Sequence, residues 1–217
     1  ERGQFITYDN LMACEEDYEI YDETGEVCFG GIDWGKAHDS TVLTIVDVDH
    51  KVIGWYDWIG DDYNTQLEQI ADIIKRKYRN LKILSCDSTG NQDMGVDNLR
   101  AIMRKHGIGA IVSGVSFNSL TKDNMYKNLS RLMHGVKVGG ELVERPKLKF
   151  PKRGNIKHKD RFMREFLDLQ KEIKNDKWSC HHPDGPQYHD DYTDSLALAC
   201  FPFKPNVIPN NRRFLIG

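Results

Sequence analysis

The sequence predicts an α/β protein whose mixed sheet, an antiparallel three-stranded meander plus parallel strands, is flanked by helices. Two observations carry this expectation. Three β-rich runs, "CFGGIDW", "STVLTIVDV" and "KVIGWYDWI", follow one another from Cys28 with short turns between them, as antiparallel neighbours do. Beyond them, short apolar runs alternate with segments of helical periodicity, the pattern of parallel strands joined by crossover helices.

Residues 1–27 read as an acidic, irregular lead-in or interdomain linker, with Glu15, Glu16, Asp17, Glu19, Asp22, Glu23 and Glu26 crowded before the first clear strand. The folded domain is expected over residues 28–203. Asp49 and His50 form the turn between the second and third strands. A helix follows, with Thr65 and Glu68 spaced as a capping box and Leu67, Ile70, Ile74 and Tyr78 on one face. "LKILSCD" is an apolar strand ending at Asp87, and "DSTGNQDMG" is a loop. Leu99, Ile102, Met103 and His106 mark a second helix, stopped by Gly107. "IGAIVSGV" is the next strand, and a third helix runs from about Lys122 to His134 over Met125, Leu129 and Leu132. "VKVGGEL" signals a hairpin at Gly139-Gly140. A basic stretch leads to a helix with Phe162, Phe166, Leu169 and Ile173 on one face, then a "KWSCH" strand and a last helix from about His189. Residues 204–217, with two prolines, read as an irregular tail.

Composition narrows the function classes. A chain of 217 residues can bury a real core. No apolar run approaches the roughly 18 residues of a membrane span, and nothing resembles a signal peptide. Five cysteines without C-x-x-C spacing argue against a disulfide framework and for a reducing compartment, with cytoplasm the default. A net charge of −3 neither requires nor excludes a nucleic acid, because local clustering sets the field a polyanion meets.

The stretch "GGIDWGKA", Gly30 to Ala37, nearly matches a phosphate-binding loop. It fails the requirements of one: Ala37 supplies no hydroxyl, Asp33 would put a carboxylate in the cradle, and a strand rather than a helix follows. What remains is Asp33 near the end of a first strand. Asp87 lies where a central strand gives out, the place where ligands gather in α/β sheets. The third acidic group is "HDDYTDSLALA", in which Asp191 and Asp194, or Asp190 and Asp194, share one face of the first turn of a helix. Each acid alone fits a turn or a cap. Three acids within five residues, beside His189, exceed what a cap needs. Carboxylates from three such places repel one another unless a divalent cation neutralises them, and hard oxygen donors suit magnesium or manganese. Two such ions about 4 Å apart activate a water and stabilise the departing oxygen in phosphodiester cleavage. Cys180, His181, His182 and His189 match no standard zinc spacing.

"GGIDWG" before a meander, "LSCDSTG" at a strand end and "HDDYTDSLALA" opening a helix together resemble the nuclease domain of the large terminase subunit of tailed bacteriophages. The resemblance spans roughly Cys28 to Pro202 and implies a ribonuclease H-like fold related to Holliday-junction resolvases. It implies an endonuclease that cuts concatemeric viral DNA during genome packaging, using two magnesium or manganese ions. By the same resemblance Asp33 bridges both metals, Asp87 is the second acid, and Asp191 and Asp194 are the helix acids, with Asp190 or His189 in support. Some relatives carry Glu where this chain has Asp87. Implied partners are double-stranded viral DNA, an N-terminal packaging ATPase domain that this chain lacks, the portal protein and the small terminase subunit. The implied place of action is the host cytoplasm, at the procapsid portal, with no membrane.

Lys147, Lys149, Lys152, Arg153, Lys157, Lys159 and Arg161 cluster against the single acid Asp160, a candidate surface for DNA phosphates. Nothing resembles a base-reading motif, so little sequence preference is expected. Two other readings stay open. "GIDWGKAHDST" and "DSTG" also resemble the phosphate loops of sugar kinases and actin-like ATPases, although the duplicated fold and adenosine site of those proteins are missing. A catalytically silent DNA-binding or motor-docking module would tolerate loss of the acids.

Overall fold

A computed structural model of the chain describes residues 2–20, 23–35, 40–90, 93–152, 156–185 and 188–203. The tail at 204–217 lies outside the described residues. In chain order the elements are β1 (Arg2–Gln4), α1 (Tyr8–Met12), β2 (Glu15–Glu16), β3 (Cys28–Asp33), β4 (Thr41–Asp47), β5 (Val52–Trp58), α2 (Tyr63–Lys77), β6 (Leu81–Asp87) and α3 (Asp93–Lys105). They continue with β7 (Ile111–Val115), α4 (Ser119–Met133), β8 (Val136–Val138), β9 (Glu141–Glu144), β10 (Phe150–Pro151), α5 (Ile156–Asp168), β11 (Gln170–Lys174), β12 (Lys177–His181) and α6 (Asp191–Ala199).

The central sheet has the order β5-β4-β3-β6-β7. β3, β4 and β5 pair antiparallel, whereas β6 joins β3, and β7 joins β6, in parallel, so the meander and the parallel strands both form as expected. Both faces of the sheet are covered. Val42 and Val46 of β4 enter one core with α4, α5 and α6, while Leu43 and Ile45 enter the other with α2 and α3. Alternate residues point to opposite faces, so a strand buried on both sides reads as a continuous apolar run.

One contact fixes the register of helix on sheet. α6 lies so close to β3 that a Cβ on Gly31 would stand 2.0 Å from the Ser195 carbonyl oxygen and 2.3 Å from the Ala199 nitrogen. Only a residue without a side chain fits there. The Thr44 and Ser195 hydroxyls, 2.7 Å apart, pair across the same buried seam.

Five local expectations need correction. α2 begins at Tyr63, capped by Asp62, which accepts from the Asn64 and Thr65 N–H groups at 3.0 and 3.2 Å; Glu68 instead pairs with Lys105, the last residue of α3, and with His106 just after it. α4 starts at Ser119 under an Asn118 cap, not at Lys122. The helix carrying Phe162 stops at Asp168, and Ile173 belongs to β11, because Asn175 and Asp176, at φ 52° and 60°, turn the chain directly into β12. α6 starts at Asp191 rather than at His189. The acidic lead-in is not irregular at its start: β1 pairs with β11, β2 with β10, and Phe5, Ile6, Leu11 and Cys14 are buried in the core.

Gly31→Ala is expected to destabilise the fold by about 3 kcal/mol or more, since the clash is with helix backbone that cannot rotate away. For a chain of this size that lowers Tm by roughly 6–12 °C. Gly25→Ala, with nothing within 4 Å of the added methyl, is the control and should leave Tm within about 2 °C. Thermal denaturation followed by circular dichroism checks both.

Candidate metal centre

Asp33 ends β3 on the face that α6 covers, and the first turn of α6 brings its own acids to it. Carboxylate oxygens of Asp33, Asp190 and Asp194 all lie within 4.8 Å of one another. Asp194 is buried, Asp33 is buried as a residue with a less enclosed carboxylate, and Asp190 is the most exposed of the three. Asp190 holds the N-cap position of α6 yet makes no side-chain cap hydrogen bond, so the ordinary reason for an acid at this position does not account for it. Its backbone carbonyl accepts from the Asp194 N–H at 2.8 Å.

Burial pushes the Asp33 carboxyl well above the usual carboxylate range, and the nearby charges of Asp194, Asp190, Asp191 and Asp87 push it the same way. Asp194 is also raised by burial, against the opposing pull of Lys122. The Lys122 ammonium donates to Asp194 Oδ2 at 3.0 Å, and the Tyr126 hydroxyl donates to Asp194 Oδ1. Lys122 is raised despite its burial because Asp194 and Asp190 face it. Both α4 residues share one helix face at i and i+4. Their spacing was visible in the sequence, but nothing local showed that this face meets a helix some 70 residues on.

The other expected site residues fall in different surroundings. Asp87 is buried at the end of β6, where its Oδ1 accepts from the Thr89 N–H at 2.8 Å and from the Thr89 hydroxyl, an Asx turn. Asp191 is ion-paired to Arg161. His189 is half-buried in the loop before α6. Lys147 and Lys152 are exposed. Lys149 is half-buried, and its carbonyl accepts from the Val52 N–H at 2.8 Å. Lys159 is ion-paired to Glu15, and Arg161 faces inward onto Asp57, Glu165 and Asp191. Arg153 and the Lys157 side chain lie outside the described residues, as does Lys36.

Among the described residues, this acidic trio is the one group of three or more His, Cys, Asp or Glu side chains close enough to share a metal ion. Its donor set is carboxylate oxygen alone, partly desolvated and mutually repelling. Such a set fits a hard divalent cation and gives zinc none of the His or Cys ligands it usually takes.

A two-faced mixed sheet, with a late helix seated on its first strand and acids gathered where they meet, is a ribonuclease H-like architecture. Specifically, the chain has the fold of phage large terminase nucleases. It is similar to the large terminase nuclease from thermophilic phage G20c with bound magnesium, at TM-score 0.63 and 16% identity over 89% of this chain and 95% of that one. The same G20c nuclease with bound cobalt gives TM-score 0.62 and 17% identity, with the same coverage. Similarity to the HK97 bacteriophage large terminase, at TM-score 0.65 and 12% identity, covers 92% of this chain and 43% of that one. No protein-family model and no curated relative matches the sequence. Among the described residues, no helix is long and apolar enough to cross a membrane.

The raised carboxyls set the sign of the pH dependence. A folded-state pKa above the unfolded value stabilises the protein below the unfolded pKa of about 3.9, and that stability is lost as pH rises toward the folded pKa. Metal-free Asp33→Asn is therefore expected to be more stable than wild type at pH 7, by about 1 kcal/mol. The difference should vanish near pH 3.5. Paired denaturant titrations at the two pH values measure it.

Proposed function

We propose that the chain is a metal-dependent DNA endonuclease domain of a phage large terminase, cutting concatemeric viral DNA during packaging. The observation that supports this most directly is the convergence of Asp33, Asp190 and Asp194 on the fold of the terminase nucleases. Magnesium or manganese, as two ions, is the proposed cofactor, and the G20c nuclease solved with bound magnesium supports it. In this proposal Asp33, Asp190 and Asp194 hold the metal, with Asp87 as a further site acid and His189 in support. A divalent ion so held supplies activation of a water and stabilisation of the departing oxygen in phosphodiester hydrolysis.

The chain's own residues prepare that chemistry. Gly31 lets α6 approach, and this sets the distance between Asp33 and Asp194. Lys122 and Tyr126 fix Asp194, so one carboxylate of the trio is oriented before any ligand arrives. Lys147 and Lys152, exposed, are the proposed contacts to the DNA backbone, with Lys149, Lys159, Arg153 and Lys157 beside them in sequence. Such contacts carry little sequence information. Packaging ATPase, portal protein, small terminase subunit and the host cytoplasm belong to the same proposal. The HK97 terminase, of which the matching region is less than half, supports a larger protein as the context.

Purified chain is expected to nick and linearise plasmid DNA with Mg2+ or Mn2+ and not with EDTA. Asp33→Asn and Asp194→Asn should each lower the rate at least about 100-fold while the circular dichroism spectrum stays unchanged. Full cleavage by both folded variants overturns the proposal, and ATP turnover by the chain alone would favour the kinase-like alternative. Replacing Lys147 and Lys152 together by Ala should weaken DNA binding and reduce the slope of log K against log salt by about 2, as a fluorescence anisotropy titration would report.

A further inference from the structure

Beside the acidic trio lies a second charged group that the proposed chemistry does not use. Arg161 of α5 donates from Nε to Glu165 Oε1 at 3.0 Å, from Nη1 to the Ser40 hydroxyl at 2.6 Å, and from Nη2 to Asp191 Oδ2. Nη1 also stands 3.5 Å from Asp57 Oδ2, and the guanidinium lies 5.2 Å from the Tyr192 ring centre. The side chains of Asp57, Glu165 and Asp191 are 10%, 4% and 5% exposed, so three largely desolvated carboxylates surround one cation. Glu165 completes the frame, because its Oε2 accepts the Tyr192 N–H at 2.6 Å. The planar fork thus ties α5 to the end of β5, to the chain entering β4 and to the first turn of α6.

The consequence falls on α6. Its N-cap and first turn offer Asp190, Asp191 and Asp194, and the sequence alone allowed either Asp190 or Asp191 to join Asp194. In the structure Asp190 lies with Asp33 and Asp194, while Asp191 is held by the fork. We propose that Arg161 is a positioning residue: by holding Asp191 in the neighbouring carboxylate group, it leaves the metal site to Asp33, Asp190 and Asp194. Arg161 is therefore an internal cation and not a DNA contact. Asp191 adjoins Asp190 and stands at i, i+3 from Asp194 in the first turn of α6, so it is the natural substitute ligand once the fork is removed. This inference rests on the reading of the trio as a metal site.

The test is a ligand swap read by Mn2+ binding alone, with free Mn2+ followed by electron paramagnetic resonance. With Arg161 intact, Asp190→Asn should weaken binding at least about tenfold, and Asp191→Asn by less than about threefold. In the Arg161→Met background the order should reverse, with Asp191→Asn becoming the costly change and Asp190→Asn the tolerated one. If the Met variant does not fold, Arg161→Gln carries the same cycle. Equal losses from Asp190→Asn and Asp191→Asn with Arg161 present overturn the proposal, as does an Asp190→Asn loss unchanged by removing the arginine. Wild type that binds Mn2+ but cuts no DNA refutes the nuclease reading and leaves the cycle interpretable. Wild type that binds no Mn2+ overturns both.

Discussion

The seat of α6 on β3 is the constraint on which the rest of the molecule depends. Helix backbone touches strand backbone at Gly31, with no room for a single methyl group. That approach brings the first turn of a helix near the C-terminus of the domain to the end of its first long strand. Without it Asp194 and Asp33 would stand too far apart to share a ligand. The glycine pair in "GGIDWG" is thus explained by packing, and the near-match to a phosphate-binding loop is a by-product of it. Gly30 faces the other core, toward Leu84 and Ile45, so the two glycines serve opposite faces of the sheet.

Electrostatics then decides how the site is built. Carboxylates gathered in a desolvated corner raise one another's pKa and oppose folding in their charged form. The protein offsets this with fixed cations: Lys122 beside Asp194, and Arg161 among Asp57, Glu165 and Asp191. Burial still pushes Glu165 up to about 8, against the opposing pull of Arg161. The two cations differ in kind. Lys122 is a point charge on a flexible stem with its side chain 30% exposed, whereas Arg161 is a planar fork held on several sides. One touches the proposed metal ligands directly, and the other organises the acids beside them.

Much of this was legible in the sequence because period and turn chemistry are local. The meander, the parallel strands and the Gly139-Gly140 hairpin form as read, and the two glycines take φ of 59° and 90°. The misread elements failed where two local signals competed. Thr65 and Glu68 satisfy a capping-box pattern, but Asp62 lies one turn earlier and supplies the stronger acceptor. Ile173 continues a helical stripe, but the Asn175-Asp176 turn imposes a hairpin on the chain around it. The first residues, ahead of the acidic run, hold Phe5, Ile6 and Leu11, whose burial only the tertiary fold reveals. At the site, the sequence marked Asp33, Asp87 and the acids of α6. It was silent on Lys122, Tyr126 and Asp57 because their roles come from helices and strands distant along the chain.

In the proposed function one cation site is formed by the end of β3 and the N-terminal end of α6. A crystal soaked in manganese and measured at the manganese absorption edge tests it most directly. An anomalous peak within coordination distance of Asp33, Asp190 and Asp194 is expected. A fully soaked crystal with no peak there, or with its main peak among Asp57, Glu165 and Asp191, would contradict it.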